Sequence, residues 1–309
     1  STFSGRLVAS QYTDKGYVEN TFTGGDGPLD ENYNIRGTLE WQATAQWVMS
    51  LKLEVGEYEI QGRQDMISIA SPTATSLYRA YGDANFDAGF NYQKSQGDFP
   101  NRPEIDTTET DLVQLTIDYD WGGHSLRSIT ALSSYEFDNT LDVDSGPLAF
   151  IERSRLESHE QFSQELLLRS PSGGSLEYLA GLYYQKNDIE NTRKTPVSFQ
   201  SIPPIENSLL GLINGALGAS LVSGDLDASS IGQFQQDTDT FSAFFQLTFS
   251  HTESLRSTFG LRYSEEDKMM HKTLIVTDPD LNPDALLALI YDAVLGLTAN
   301  HTLIMDRSE

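Results

Sequence analysis

The stretch Thr238–Lys268, TDTFSAFFQLTFSHTESLRSTFGLRYSEEDK, decides how the rest of the chain is read. Phe241, Ala243, Phe245, Leu247 and Phe249 fall on one side of a two-residue period. Ser242, Gln246, Thr248 and Ser250 fall on the other, with Phe244 the exception. After the polar break His251-Thr252-Glu253-Ser254, Leu255, Phe259, Leu261 and Tyr263 alternate with Arg256, Thr258, Gly260 and Arg262. Successive side chains leave a strand on opposite faces, so this pattern predicts two strands joined as a hairpin. One face is aromatic and aliphatic; the other carries arginine, glutamine and hydroxyls. A soluble sandwich would keep the apolar face dry, whereas a membrane barrel turns it to lipid and the polar face to its lumen. The hairpin alone fits both.

Working outward, the same alternation predicts strands at Asn34–Gln42, Trp47–Val55, Val113–Trp121, Ser125–Phe137, Gln161–Arg169 and Leu176–Gln185. A weaker strand at Gly5–Tyr12 runs on through Gly16-Tyr17-Val18, giving about nine strands in all. Met269–Glu309 reads as a final loop without a closing strand. Tight connections at 43–46, 122–124, 171–174 and 250–254 alternate strictly with long ones. In an antiparallel up-and-down sheet this puts every tight turn at one end, as in outer-membrane barrels with short periplasmic turns and longer extracellular loops. Charges recur on the polar face: Arg36, Glu40, Lys52, Glu54, Asp118, Glu165, Arg169, Arg256 and Arg262. A small barrel packed with side chains could not hydrate them, and a wide lumen could. The fold class is therefore all-β: an antiparallel up-and-down transmembrane β-barrel, about nine strands of a larger one, with long extracellular loops that hold short helices.

Composition agrees. A formal charge of −25 disfavours nucleic acid as a partner, and the absence of cysteine excludes disulfides and thiolate metal sites. No segment approaches the roughly 18 apolar residues of a membrane-spanning helix. Residues 1–6 lack the charged start and apolar centre of a signal peptide and read as a strand entered midway.

Three stretches resemble TonB-dependent outer-membrane receptors. Glu160–Lys186 is similar to one of their barrel hairpins, and Asp237–Lys268 to the next. Gly16-Tyr17-Val18 with Asn20, followed by Arg36-Gly37 and Trp41, resembles an earlier one. The likeness covers nearly all the strands and leaves the long loops unmatched. It implies active uptake of a scarce ligand, a ferric siderophore first, with cobalamin and oligosaccharides as competitors. A passive porin or surface-binding barrel and a soluble sandwich are the rivals. No enzymatic activity and no cofactor are expected. Such receptors also carry an N-terminal plug, a box that engages TonB, and a barrel of roughly 22 strands. Residues 1–309 then correspond to part of the barrel domain, in the outer membrane among lipid and lipopolysaccharide, with the plug and closing strands outside it.

Candidate sites follow. Inward Arg36, Arg169, Arg256 and Arg262 could meet the plug through charge-assisted hydrogen bonds, or pair with cross-strand carboxylates. Tyr78, Tyr81, Phe86, Phe90 and Tyr92, with Phe99, lie in the loop Asp65–Pro100 among Gly, Asn and Gln. Such aromatics suit capture of a siderophore or sugar, and equally suit folding of the loop itself. Asp278, Asp280 and Asn282 begin like a calcium loop, but Pro283 stands where glycine is required and Leu289 where glutamate is. The alternative is a helix start capped by Asn282. Apolar stripes at Leu209–Leu221 and Leu286–Leu297 predict two short loop helices that dock on each other, or on the aromatic loop before Pro100, as a lid, with a ligand-facing apolar vestibule as the alternative. No nucleophile–base pair or phosphate loop is present.

Overall fold

The computed structural model describes residues 1–21, 24, 26–63, 65–89, 92–93, 104–217, 226–295 and 301–308. In chain order its elements are β1 (Thr2–Asp14), β2 (Val18–Asn20), β3 (Asp26–Gly27), β4 (Leu29–Gln42), β5 (Trp47–Gln61), α1 (Pro72–Tyr81) and β6 (Tyr92–Gln93). They continue with β7 (Ile105–Trp121), β8 (His124–Asp142), β9 (Glu152–Arg169), β10 (Leu176–Val197), α2 (Pro203–Leu217), β11 (Ala228–Thr252), β12 (Leu255–Thr277), α3 (Ala285–Leu295) and β13 (His301–Ser308).

Ten strands form one antiparallel sheet in the order β1-β4-β5-β7-β8-β9-β10-β11-β12-β13. Each strand pairs with its neighbour in the chain, the up-and-down plan that alternating turn lengths predict. The sheet is open, with β1 and β13 as its edges. The β7–β8 turn is Gly122-Gly123, with φ of +53° and +85°. Positive φ at both central residues is what a tight right-twisting hairpin demands.

Three expectations are corrected. The tail is not loop throughout: β12 runs on to Thr277, and β13 pairs with it from Asp267 to Leu274, as a tenth strand of the main sheet. The first strand ends at Asp14, whose Oδ1 accepts from the amide of Gly16 (φ +75°). Val18 then belongs to a separate small sheet, in which β2 pairs with β3 and, in parallel, with β6. The cap of α3 is Asp284 rather than Asn282, because its Oδ1 accepts from the amides of Leu286 and Leu287 at 2.8 and 2.9 Å.

Among the described residues no core packs beneath the sheet. Its apolar face stays bare, with Leu261 67%, Leu39 60% and Leu132 55% exposed. The main buried cluster lies at the long-loop end: Val197, Phe199, Leu226, Ala228, Val276, Leu287, Ala288 and Ile290, with Leu209 and Leu210 against it. Residues of α2 and α3 thus share one core, as the apolar stripes predict. Among the described residues no helix is long and apolar enough to cross a membrane.

Candidate functional site

Residues directly opposite in an antiparallel ladder share a face, so the register sorts every strand into two walls. On the apolar wall next to the tight turns, rings line up strand after strand. Phe3 stacks on Trp41 at 5.5 Å, Trp47 on Tyr119 at 4.3 Å, Tyr119 on Trp121 at 5.2 Å and Trp121 on His124 at 5.4 Å. Tyr178 continues the row from His124 at 5.9 Å. All three tryptophans of the chain sit here, where amphipathic rings mark a membrane–water boundary. Above this girdle the wall is aliphatic and aromatic, as in Phe241–Phe249 of β11, matching the roughly 9–11 residues a tilted strand needs to cross.

Above the band the same wall turns acidic. Glu109 stands opposite both Glu57 and Glu136, Asp188 opposite Glu160 and Asp237, and Asp239 opposite Asp267. Like charges directly opposed are destabilising, and only a hydrated wall tolerates a belt of them.

The polar wall carries the predicted inward arginines. Arg36 donates from Nε and Nη2 to Glu54 at 2.9 and 2.6 Å, with Lys52 3.1 Å from the same carboxylate. Arg256 pairs with Glu177 at 2.7 Å, and Arg262 donates to the Ser264 hydroxyl at 3.2 Å. Arg169 is exposed opposite Leu179. These four share a face but stand on β4, β9 and β12, so the structure does not gather them into one site. Phe244, the exception to the alternation, is accommodated by a glycine. It lies across from Gly181, where a Cβ would come 2.1 Å from its ring.

The loops interlock around the mouth. Ser71 caps α1 by accepting from the amide of Ala74 at 3.1 Å. Tyr78 packs on fully buried Phe86 at 4.6 Å and against Gly146, where a Cβ would fall 2.6 Å from the Tyr78 ring. Tyr78 and Phe86 are therefore the loop's own core, while Tyr81 is exposed. Phe90 lies outside the described residues; the backbone of Tyr92 belongs to the small sheet, and its side chain also falls outside them. Burial pushes the Asp144 carboxyl up to about 6, against amides donated by Gly146 and Ile151. Burial, then Asp144, raises the Tyr78 phenol. Phe150 meets Phe199 edge-on at 5.4 Å, joining this loop to the one holding α2. Asp278 accepts from the amide and side chain of Asn282, closing a turn, and Asp280 is exposed. Among the described residues no group of three or more His, Asp or Glu is placed to hold a metal ion.

Two clefts open at this level. One, of about 550 Å³, is lined by Glu152, Thr192, Lys194, Asp227 and Leu281 and lies on the outer side of the ladder. The other, of about 500 Å³, lies on the polar wall: Phe137, Asn139 and Leu141 of β8, Arg153 and Arg155 of β9, Asn191 and Arg193 of β10, and Arg63. Sequence reading missed these arginines. Arg153 and Arg155 stand two apart, the spacing of one strand face, but no apolar row beside them identifies a strand.

No family model and no curated protein matches the sequence. In fold the chain is similar to the ferric yersiniabactin uptake receptor FyuA from Yersinia pestis. That likeness covers 99% of this chain and 38% of that one, at 13% identity and a TM-score of 0.62. The ferric-catecholate import receptor Fiu from E. coli K12, in its open form, aligns over 90% of this chain and 51% of its own at 10% identity and TM-score 0.46. The siderophore receptor PiuA from Acinetobacter baumannii aligns over 89% and 45% at 9% identity and TM-score 0.45. These two looser superpositions carry no weight; the first establishes the fold. In fold the chain is part of a barrel wall like that receptor's, the barrel fold that the hairpin resemblances imply, and it spans 38% of the length of the receptor it matches.

Proposed function

We propose that this chain is part of the barrel of an outer-membrane receptor that takes up a ferric siderophore by a TonB-energised mechanism. One observation carries the reading: a ten-stranded sheet is apolar on one wall for a single membrane thickness and predominantly polar and charged on the other. Such a wall faces lipid on one side and a hydrated, plugged lumen on the other. Arg36, Arg169, Arg256 and Arg262 would face the receptor's own plug, supplied by sequence outside residues 1–309, as would the segment that engages the TonB complex. The interlocked loops, with Tyr81 exposed among them, would face the extracellular side, and the acidic belt would meet lipopolysaccharide through bridging divalent cations. The role is transport, without catalysis.

Deleting the gene should abolish energy-dependent uptake of radioiron from one ferric siderophore by iron-starved cells, and a protonophore should stop that uptake in the wild type. Gene-dependent uptake that survives the protonophore would identify a passive pore. Gene dependence for cobalamin or an oligosaccharide alone would replace the ligand.

A further inference from the structure

The four arginines of the polar-wall cleft are under-neutralised. Arg63 pairs with Asp106 at 3.1 Å, and Arg155 pairs with Glu157 while lying 5.5 Å from the Phe137 ring. Among the described residues, no carboxylate comes within ion-pair distance of Arg153 or Arg193. The Nε of Arg153 is buried without a hydrogen-bond partner. The register also sets Arg193 directly opposite Arg155, an arrangement that costs stability. In a chain of net charge −25, carboxylates were abundant enough to quench this cluster, yet the acidic belt lies on the other wall and nearer the band, five residues below the Arg155–Arg193 pair along β9 and β10.

We infer that Arg63, Arg153, Arg155 and Arg193 form the binding site for an anionic ligand presenting several oxygens, whether catecholate or carboxylate. Guanidinium forks match paired oxygens of this kind; Asn139 and Asn191 already donate to Asp106 and Glu157, so the guanidiniums are the donors left for a ligand. A volume of about 500 Å³ suits one small-molecule ligand. Position favours a ligand over the plug: from Phe162 at the band's upper edge, β9 climbs roughly 24 Å to Arg155, at about 3.4 Å per residue. The site therefore opens among the long loops rather than at membrane depth. This inference rests on the receptor reading and narrows its ligand class.

The test uses the purified full-length receptor and three probes: a ferric tris-catecholate, ferric citrate and a neutral ferric trihydroxamate. Binding is measured by titration calorimetry for wild type, Arg153→Gln, Arg193→Gln and the double variant. Wild type should bind an anionic probe with an affinity that falls as salt rises. Each single variant should weaken it about ten- to a hundredfold, leaving binding of the neutral probe unchanged. Which anionic probe responds separates catecholate from carboxylate recognition. Arg193→Gln removes a like-charge opposition, so the variant should fold, as checked by heat-modifiable gel mobility. Arg193→Lys, keeping the charge but not the fork, should fall between the two. Undiminished anionic binding in the double variant overturns the site, whether or not its plug is loosened. Equal losses for the neutral probe overturn it too. Wild-type binding of the neutral probe alone ends the anion site while the receptor reading stands. Absence of gene-dependent uptake, together with no binding of any ferric complex, ends both.

Discussion

Along β11, the half beside the tight turn and the half beside the long loop obey different rules. From Phe241 to Phe249, side chains alternate between a bare apolar wall and a polar one. From Ala228 to Thr240 both walls are largely polar, with Gln233, Gln235, Asp237 and Asp239 on the outer one and Gly232, Gln236 and Thr238, interrupted by Phe234, on the inner. At about 3.4 Å per residue, the 25 residues of this strand reach roughly 85 Å, far more than a membrane crossing requires. The lower half is organised by lipid, the upper half by the backbone ladder and the loops it supports. A wall in oil selects for apolar contact, whereas a wall in water selects only for solubility and for whatever must be bound.

The sharpest way to break this comparison is to put a charge in the lower half. Leu261→Arg should destabilise the barrel by about 2–4 kcal/mol in refolding into vesicles, if it lies near the midplane. Arg262→Gln on the opposite wall should fold nearly as well as wild type. Equal tolerance would dissolve the two-wall assignment.

A second break concerns the polar wall within the band. Gly181→Leu collides with the Phe244 ring, and the overpacking should lower stability by about 1–3 kcal/mol in the same assay. Adding Phe244→Ala should recover much of that loss, since the ring is the obstacle.

The third sharpens the behaviour of the loops. With its carboxyl raised to about 6 in the folded loop from 3.8, Asp144 binds more protons folded than unfolded. Its neutral form stabilises the loop fully below pH 3.8, and that contribution is lost as pH rises through about 6. Hydrogen exchange at residues 143–151 should therefore show less protection at pH 7 than at pH 4, by on the order of 1–3 kcal/mol after correction for intrinsic rates. Asp144→Asn should flatten the profile.

The smallest effect is expected on the outer wall above the band. Glu109→Gln removes a charge opposed on both sides by Glu57 and Glu136, and should stabilise by roughly 0.2–1 kcal/mol, less at high salt. Destabilisation instead would mean that the belt is neutralised by bound cations.

Legibility follows the same divide. Outside β1, strands read from alternation end early at the long-loop end: Val55 against Gln61, Gln185 against Val197, Gln161 against Glu152, Val113 against Ile105. The tight-turn ends lie much closer, because there the hydrophobic contrast marks both the strand and its limit. Arg153 and Arg155 stood in plain view but inside a segment that reads as loop, so their convergence with Arg193 and Arg63 stayed hidden. Tyr78 and Phe86 show the converse. Their composition suits a ligand surface, and their contact with each other, with Tyr78 also packed on Gly146, makes them a loop core.

By itself the sequence determined the all-β class, the up-and-down order, the end at which the turns gather, and which face of each crossing segment is apolar. All of these are local: a two-residue period and a turn need no partner to be read. Only the tertiary structure decided how far the strands rise, where β13 joins, how α2 and α3 share a core, and that the acidic belt and the arginine cluster fall on opposite walls. Those depend on register between strands far apart in the chain, and a register is a property of the pair, written in neither strand alone.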